Sequence, residues 1–385
     1  MIKCKQLFEK IDELHPYYVK VWEDICKIES PTSYKAGVDA VGEYVISIAK
    51  KHAWRVKIHK EDISGNAISI TMNPDSKAKP ICFSAHMDTV HPVGLFGEEV
   101  VRLDENNIYG PGVLDCKGGI VQALMAMHAL ELCGFNSRPI KLILQSDEEV
   151  GSRTSEKRTV KFMCEEAKDA EAFINLEGSS PDYVILQRKG IVYYTFRITG
   201  IEAHSSLCAV RGANAILEAA HKIIELEKIK DHDGVTCNCG VINGGSVPNT
   251  VPGECSFCVN IRYVDSEQLE WVTKRVEEIA ATVYVKGCTT TLERTGYRVA
   301  MEICERNVEL LKRINTVFSE NGFSTLKLGK AHGGSDASDV TAYGIPCIDS
   351  LGVTGGDIHS VNEFGNLESL KEYTKRIAAI AYCLE

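Results

Sequence analysis

The sequence predicts an α/β protein: a domain with a mostly parallel central sheet flanked by helices, interrupted by an inserted α+β domain of split βαβ type. Two observations carry that prediction. Up to about residue 189 short apolar runs alternate with stretches of helical periodicity, the pattern of parallel strands joined by helices. Near Lys189 the character changes to long alternating strands and two long amphipathic helices, and the α/β pattern returns after about residue 299.

Each element follows from its local pattern. Residues 37–53 carry apolar residues at helical spacing. ICFSAH at 81–86 is a short apolar strand. GGIVQALMAMHALELCG at 118–134 reads as a helix with glycine past its end. IKLILQS at 140–146 and AFINLE at 172–177 read as buried strands. GIVYYTFRITG then alternates as a strand, ANAILEAAHKIIELEKI is an amphipathic helix, and VTCNCGVING and ECSFCVNIRYV are strands. SEQLEWVTKRVEEIAATV is a second helix and TTTLERTGYRV a further strand, completing the order β-α-β-β-α-β. Beyond it come a helix near 305–321, the strand-like IPCIDSLG at 345–352 and a last helix near 367–383.

The chain has 385 residues, enough for two to three domains at about 100–200 residues each. It is 44% apolar and 25% charged with a formal charge of −10. That balance excludes nucleic acid and an anionic membrane surface as main partners. No apolar run reaches the ~18 residues of a membrane span, and MIKCKQLFEKIDELHPYY lacks the apolar stretch of a signal peptide. Fifteen cysteines are spread from Cys4 to Cys383, which without a secretion signal reads as reduced thiols in a cytoplasmic protein. The pairs Cys237/Cys239 and Cys255/Cys258 lie in β-like segments without the tight knuckle of a zinc site, and read as packing or surface thiols.

The candidates for chemistry follow predicted strands, where open α/β sheets bind ligands. SAHMDTV supplies His86 and Asp88, LDCKGG supplies Asp115, QSDEEVGS supplies Glu148 and Glu149, NLEGS supplies Glu177, and GGDIHSVNEF supplies His359. Taken singly, each is an ordinary solvated polar residue; their joint placement is what points to a site. His86 and Asp88 share a face of an extended segment, so Asp88 can accept the second ring N–H of His86 and fix its tautomer. Glu148 and Glu149 are adjacent and diverge, so one can bind metal while the other acts as general base. A set of nitrogen and oxygen donors without a thiolate suits catalytic zinc. Five ligands exceed one open site and suit two metals bridged by a carboxylate.

SAHMDTV, YGPGVLDCKGG, DEEVGS, NLEGS, GIEAHSS, VPNTVP, GGSDASD and DIHS, in this order between residues 84 and 360, resemble the di-zinc aminoacylase/glutamate-carboxypeptidase family of metallopeptidases. Acetylornithine deacetylase and succinyl-diaminopimelate desuccinylase belong to that family. HMDTVHPVGLF, IYGPGVLDCKGG and SLGV resemble its glutamate-carboxypeptidase branch more. The resemblance implies a catalytic di-metal domain at 1–189 and 299–385 and an inserted lid and dimerisation domain at 190–298. It implies a metal-dependent hydrolase that uses a di-metal-bound water on an amide or peptide bond of a small substrate with a free carboxylate. Within the family the alternatives are an N-acyl-amino-acid deacylase and a di- or tripeptidase. A homodimer and two Zn per chain are implied, and Co or Mn accepts the same ligands.

Position by position, the resemblance makes Asp115 the bridge, His86 and Glu177 the ligands of one metal, and Glu149 and His359 those of the other. Glu148 is the general base and Asp88 orients His86. His204 of GIEAHSS reaches the active site of the other subunit and stabilises the oxyanion. Arg262 grips a free carboxylate, for which a guanidinium fork is suited; Asn249, Gly333 and Gly334 also contact substrate. One departure stands out: the family usually has a second acidic residue after the bridging Asp, often across a cis peptide, and here that residue is Cys116.

Overall fold

The computed structural model describes residues 4–230 and 234–384, so the first three residues of the segment weighed above as a signal peptide lie outside it. The chain forms two compact units. The first runs to Leu186 and takes up Ile303–Lys330 and the chain from Ser335 onward; the second is Gln187–Glu302 with Ala331–Gly334. The short 331–334 loop, which carries Gly333 and Gly334, therefore belongs to the second unit, where the sequence reading grouped it with the first.

The first unit contains α1 (Lys5–Cys26), α2 (Lys35–Lys51), β1 (Arg55–His59), β2 (Ala67–Met72), β3 (Ile81–His86), α3 (Lys117–Leu132), β4 (Ile140–Gln145), α4 (Arg158–Ala167) and β5 (Ala172–Asn175). Its central sheet has the order β1-β2-β4-β3-β5, closed by the short strand Cys347–Ile348. β3 pairs in parallel with β4 and β5, and β5 with Cys347–Ile348; β1 and β2 form an antiparallel edge. The parallel strands thus deliver His86, the segment after Gln145 and the segment after Asn175 to one edge of the sheet. α3 is buried almost all round, because it packs on β3 and β4 on one side and on α1 and the helix Leu367–Cys383 on the other.

The sequence reading assigned no helix at α1, which contains Pro16. The helix runs through Pro16 all the same. An interior proline costs a helix ~3 kcal/mol, and the cost is offset by a buried stripe: Leu7, Ile11, Tyr18, Val21, Trp22, Ile25 and Cys26. Trp22 also donates its indole N–H to Val113 O at 3.0 Å.

The second unit contains β6 (Gly190–Thr199), α5 (Ala215–Glu227), β7 (Thr236–Gly244), β8 (Glu254–Tyr263), α6 (Ser266–Ala281) and β9 (Thr289–Arg298). Its sheet is antiparallel with the order β7-β8-β6-β9. Val192, Tyr194, Phe196 and Ile198 alternate inward along β6, and Phe196 stacks on its cross-strand partner Phe257 with centroids 4.5 Å apart. Asn214 and Asp265 cap the two helices by accepting the N–H groups of Leu217 and Gln268. Between the helices lies a fully buried lysine: Lys222 Nζ donates to Ile279 O, Ala280 O and Thr282 O at 2.9, 3.0 and 2.5 Å, and pairs with Glu218 at 3.1 Å. On β8, Cys255 is buried and Cys258 exposed, as the strand period requires. Among the described residues no two cysteines form a disulfide. Among the described residues no helix is long and apolar enough to cross a membrane.

Candidate metal centre

At the carboxyl edge of the first unit's sheet five side chains meet. His86 ends β3; its Nε2 lies 3.0 Å from Asp115 Oδ1 and 3.7 Å from Glu177 Oε1. The other oxygen of Asp115 lies 3.1 Å from His359 Nε2, which is in turn 3.4 Å from Glu149 Oε2. Asp115 therefore presents one oxygen to each of two imidazoles, with one further carboxylate beside each. Asp115 stands just before α3, whose start is set by packing: a Cβ on Gly119 would lie 2.4 Å from Leu176 O, so only glycine lets the helix begin against the segment that carries Glu177.

Asp88 lies behind this ring, fully buried. The sequence reading has its carboxylate take the second ring N–H of His86. The closer partner of His86 Nδ1 is the Asp88 main-chain oxygen at 2.9 Å; the carboxylate is 3.4 Å away. The carboxylate itself accepts Glu148 N–H at 3.1 Å, Glu149 N–H at 3.2 Å and the Thr32 hydroxyl at 2.7 Å. It fixes the turn that carries both glutamates.

Cys116, the departure singled out in the sequence, lies beside this ring. A cis peptide joins it to Asp115, and its buried Sγ accepts His86 N–H at 3.4 Å. Two groups of candidate ligand atoms lie within 4.8 Å of one another: His86, Asp115 and Glu149, and His86, Cys116 and Glu177. The thiolate-free donor set of the sequence reading thus has a thiol beside it. Burial, and then the charge of Glu177, raises that thiol's pKa well above its ordinary value.

The electrostatics of the cluster call for cations. Burial pushes Glu149 up to about 7, with Asp115 and Glu148 adding to the rise against the His359 hydrogen bond. Burial likewise drives Glu177 well above the carboxylate range, helped by Asp115, Glu148 and Asp349. Asp115 goes the other way: burial opposes its charge, but hydrogen bonds from His359 and His86 hold it well below the usual range. The hydrogen bonds to Asp115 and Glu149 raise His359 to about 10. Three carboxylates and two imidazoles gathered this closely fit a divalent cation site with nitrogen and oxygen donors.

In the second unit, His204 pairs across a two-residue ladder with Thr250, and Asn249 O accepts Ser205 N–H at 2.9 Å. Both His204 and Asn249 are exposed. His204 Nδ1 accepts Ser206 N–H at 3.2 Å and faces the Ser206 hydroxyl at 2.8 Å, so in the neutral ring the proton sits on Nε2 as an outward donor. Arg262 Nη1 donates to His332 O at 2.6 Å. Two further arginines that the motifs did not single out meet the same loop. Arg188 donates to Gly333 O at 3.3 Å, and Arg298 packs so closely that a Cβ on Gly334 would lie 2.8 Å from its Cδ. Both sit beside strands already read as such, Arg188 just before β6 and Arg298 at the end of β9, but no local pattern marks them.

Residues 82–382 match the family described as peptidase family M20/M25/M40. The chain belongs to that family. This M20-family enzyme is 27% identical over 361 residues to carboxypeptidase G2 of Pseudomonas sp. (strain RS-16), covering 92% of this chain and 86% of that one. It is 24% identical over 388 residues to the succinyl-diaminopimelate desuccinylase of Rickettsia felis, covering 92% and 96%. Its fold is similar to the crystal structure of a tripeptidase from Staphylococcus aureus, with a TM-score of 0.78 and 21% identity over 96% of this chain and 98% of that one. Family membership makes the chain a metal-binding hydrolase of the metallopeptidase kind.

Proposed function

We propose that this M20-family enzyme hydrolyses an amide or peptide bond of a small substrate bearing a free carboxylate, in the manner of a carboxypeptidase. The observation that carries the reading is Asp115, with one oxygen 3.0 Å from His86 Nε2 and the other 3.1 Å from His359 Nε2. That placement supports reading Asp115 as a carboxylate that two ions would share. His86 and Glu177 would hold one Zn²⁺, Glu149 and His359 the other, and Asp115 both; Co²⁺ or Mn²⁺ suits the same donors. When bound, the ions supply Lewis acidity toward a water and the scissile carbonyl.

The chain's own residues do the rest. Glu148, buried and held through its main-chain N–H by Asp88, accepts a proton from the attacking water and passes it to the leaving amine. The outward N–H of His204, supplied by a second copy of the chain in a homodimer, donates to the oxyanion. Arg262 binds the substrate carboxylate as a two-pronged donor, with Asn249 and the Gly333–Gly334 loop at the same substrate. Arg188 and Arg298 against that loop add positive charge where a carboxylate would sit.

The test combines metal content with turnover on protein purified without chelator. N-acyl amino acids, acyl-glutamates and short peptides are assayed before and after metal removal and zinc readdition. About two metals per chain and metal-dependent cleavage support the reading, and the best substrate separates carboxypeptidase from deacylase and di- or tripeptidase. Glu148→Ala should lower kcat by ~10³-fold or more while retaining both metals; a Glu148→Ala variant that stays active would remove the assignment of the base.

A further inference from the structure

We infer that Glu363 is the positioning residue of the metal centre, holding the Asp115 segment and the His359 segment in register through one buried carboxylate. The inference rests on the metal-centre reading above and adds a residue to it. Glu363 is 1% exposed, yet both its oxygens are filled. Oε1 accepts Leu114 N–H at 2.9 Å and Asp115 N–H at 3.0 Å. Oε2 accepts Gly112 N–H at 3.2 Å and faces His91 Nε2 at 3.0 Å. Its main-chain oxygen accepts Gly110 N–H at 3.3 Å. Every bond that Glu363 accepts, apart from the one with His91, comes from the six-residue stretch 110–115 that ends in Asp115.

Glu363 also lies four residues after His359 on the same loop. His359 has φ +62 and Asp357 φ +55, left-handed backbone that residues other than glycine keep only where the surroundings enforce it. Ser360 holds that turn, its hydroxyl donating to Asp357 O at 2.7 Å and its main-chain oxygen accepting Glu363 N–H at 3.2 Å, while the Glu363 carboxylate orients the Asp115 peptide. A carboxylate receiving several N–H groups makes strong charge-assisted bonds, and partners behind metal ligands fix ligand orientation. His91, buried with its ring edge-on to Phe96 at 5.1 Å, fills the remaining acceptor site, so the carboxylate has a single low-energy pose. A mere loop anchor would need one or two such bonds to any part of the loop; here two of the three side-chain-bound amides are Asp115 and its neighbour.

The test uses the full chain and Co²⁺ as the probe. Wild type, Glu363→Ala and Glu363→Gln are stripped of metal, checked for folding by circular dichroism, and titrated with Co²⁺ against a chromophoric chelator while the visible Co²⁺ spectrum is recorded. Glu363→Ala should bind Co²⁺ roughly 10–100-fold more weakly with a displaced visible band. Glu363→Gln keeps one acceptor oxygen and should lie between it and wild type. Wild-type affinity and spectrum in Glu363→Ala, with only a lower melting temperature, would overturn the positioning role and leave a loop anchor. If the alanine variant does not fold, wild-type affinity and spectrum in Glu363→Gln overturn it instead. Wild-type protein that takes up no Co²⁺ would overturn the metal-centre reading itself, and this inference with it.

Discussion

The carboxylate of Asp88 accepts the main-chain N–H of Glu148 at 3.1 Å, and through that bond a buried aspartate behind the site sets the direction of a glutamate within it. The same carboxylate takes Glu149 N–H and the Thr32 hydroxyl, so its oxygens are committed to acceptor roles. Asp88→Asn turns one of them into a donor that faces an N–H or a hydroxyl. The expected result is a fall in kcat of about 10–100-fold with KM changed much less, since the arginines proposed to bind substrate are not among the partners of Asp88. Steady-state kinetics on the metal-loaded variant checks it, and an unchanged kcat would show that the Glu148 turn holds itself.

Much of this centre was legible because its residues sit next to recognisable elements. His86, Glu148, Glu149 and Glu177 follow apolar runs that had to be strands, Asp115 precedes an unmistakable helix, and strand ends in a parallel sheet converge. The residues that hold them were not legible, for a physical reason. Thr32 bonds Asp88 across 56 residues and His91 bonds Glu363 across 272, and no local period marks such pairs. Glu363 stood inside the quoted segment GGDIHSVNEF, so its nearness to His359 was visible while its partners were not. α1 was not assigned: Pro16 disfavours a helix locally, and the buried stripe from Leu7 to Cys26 that overrides it finds its partners only in the folded chain. Cys116 replaced an expected acidic residue, and only the fold showed its thiol against His86 and Glu177.

Lys222 gives a stability prediction in the second unit. Its ammonium terminates α6 by donating to three carbonyls near the helix end, where positive charge is favoured, and it neutralises Glu218, whose other oxygen takes Tyr284 and Val285 N–H at 2.9 and 2.6 Å. Lys222→Met leaves a buried carboxylate without its cation and three carbonyls without a donor. The variant should lose ~3–5 kcal/mol in urea unfolding, and Glu218→Gln added to it should recover part of the loss. A Lys222→Met variant as stable as wild type would mean that water reaches these carbonyls.

Acid sensitivity should come in part from a clamp remote from the site. Arg158 at the start of α4 donates from Nε to Glu61 Oε1 at 3.0 Å and from Nη2 to Oε2 at 2.8 Å, and His59 faces Oε1 at 3.0 Å. The Arg158 hydrogen bonds hold the Glu61 carboxyl below its ordinary value, outweighing the effect of burial. A carboxyl depressed in the folded state binds fewer protons there than in the unfolded chain, so stability rises with pH through this range. The contribution is present above the unfolded value of about 4.3 and is lost as pH falls through the lower folded value. The urea midpoint of wild type should therefore drop between about pH 5 and pH 3, and Arg158→Gln should flatten that slope while lowering the midpoint at neutral pH. An Arg158→Gln variant with the wild-type acid slope would assign the slope to other carboxylates and leave the clamp without a part in it.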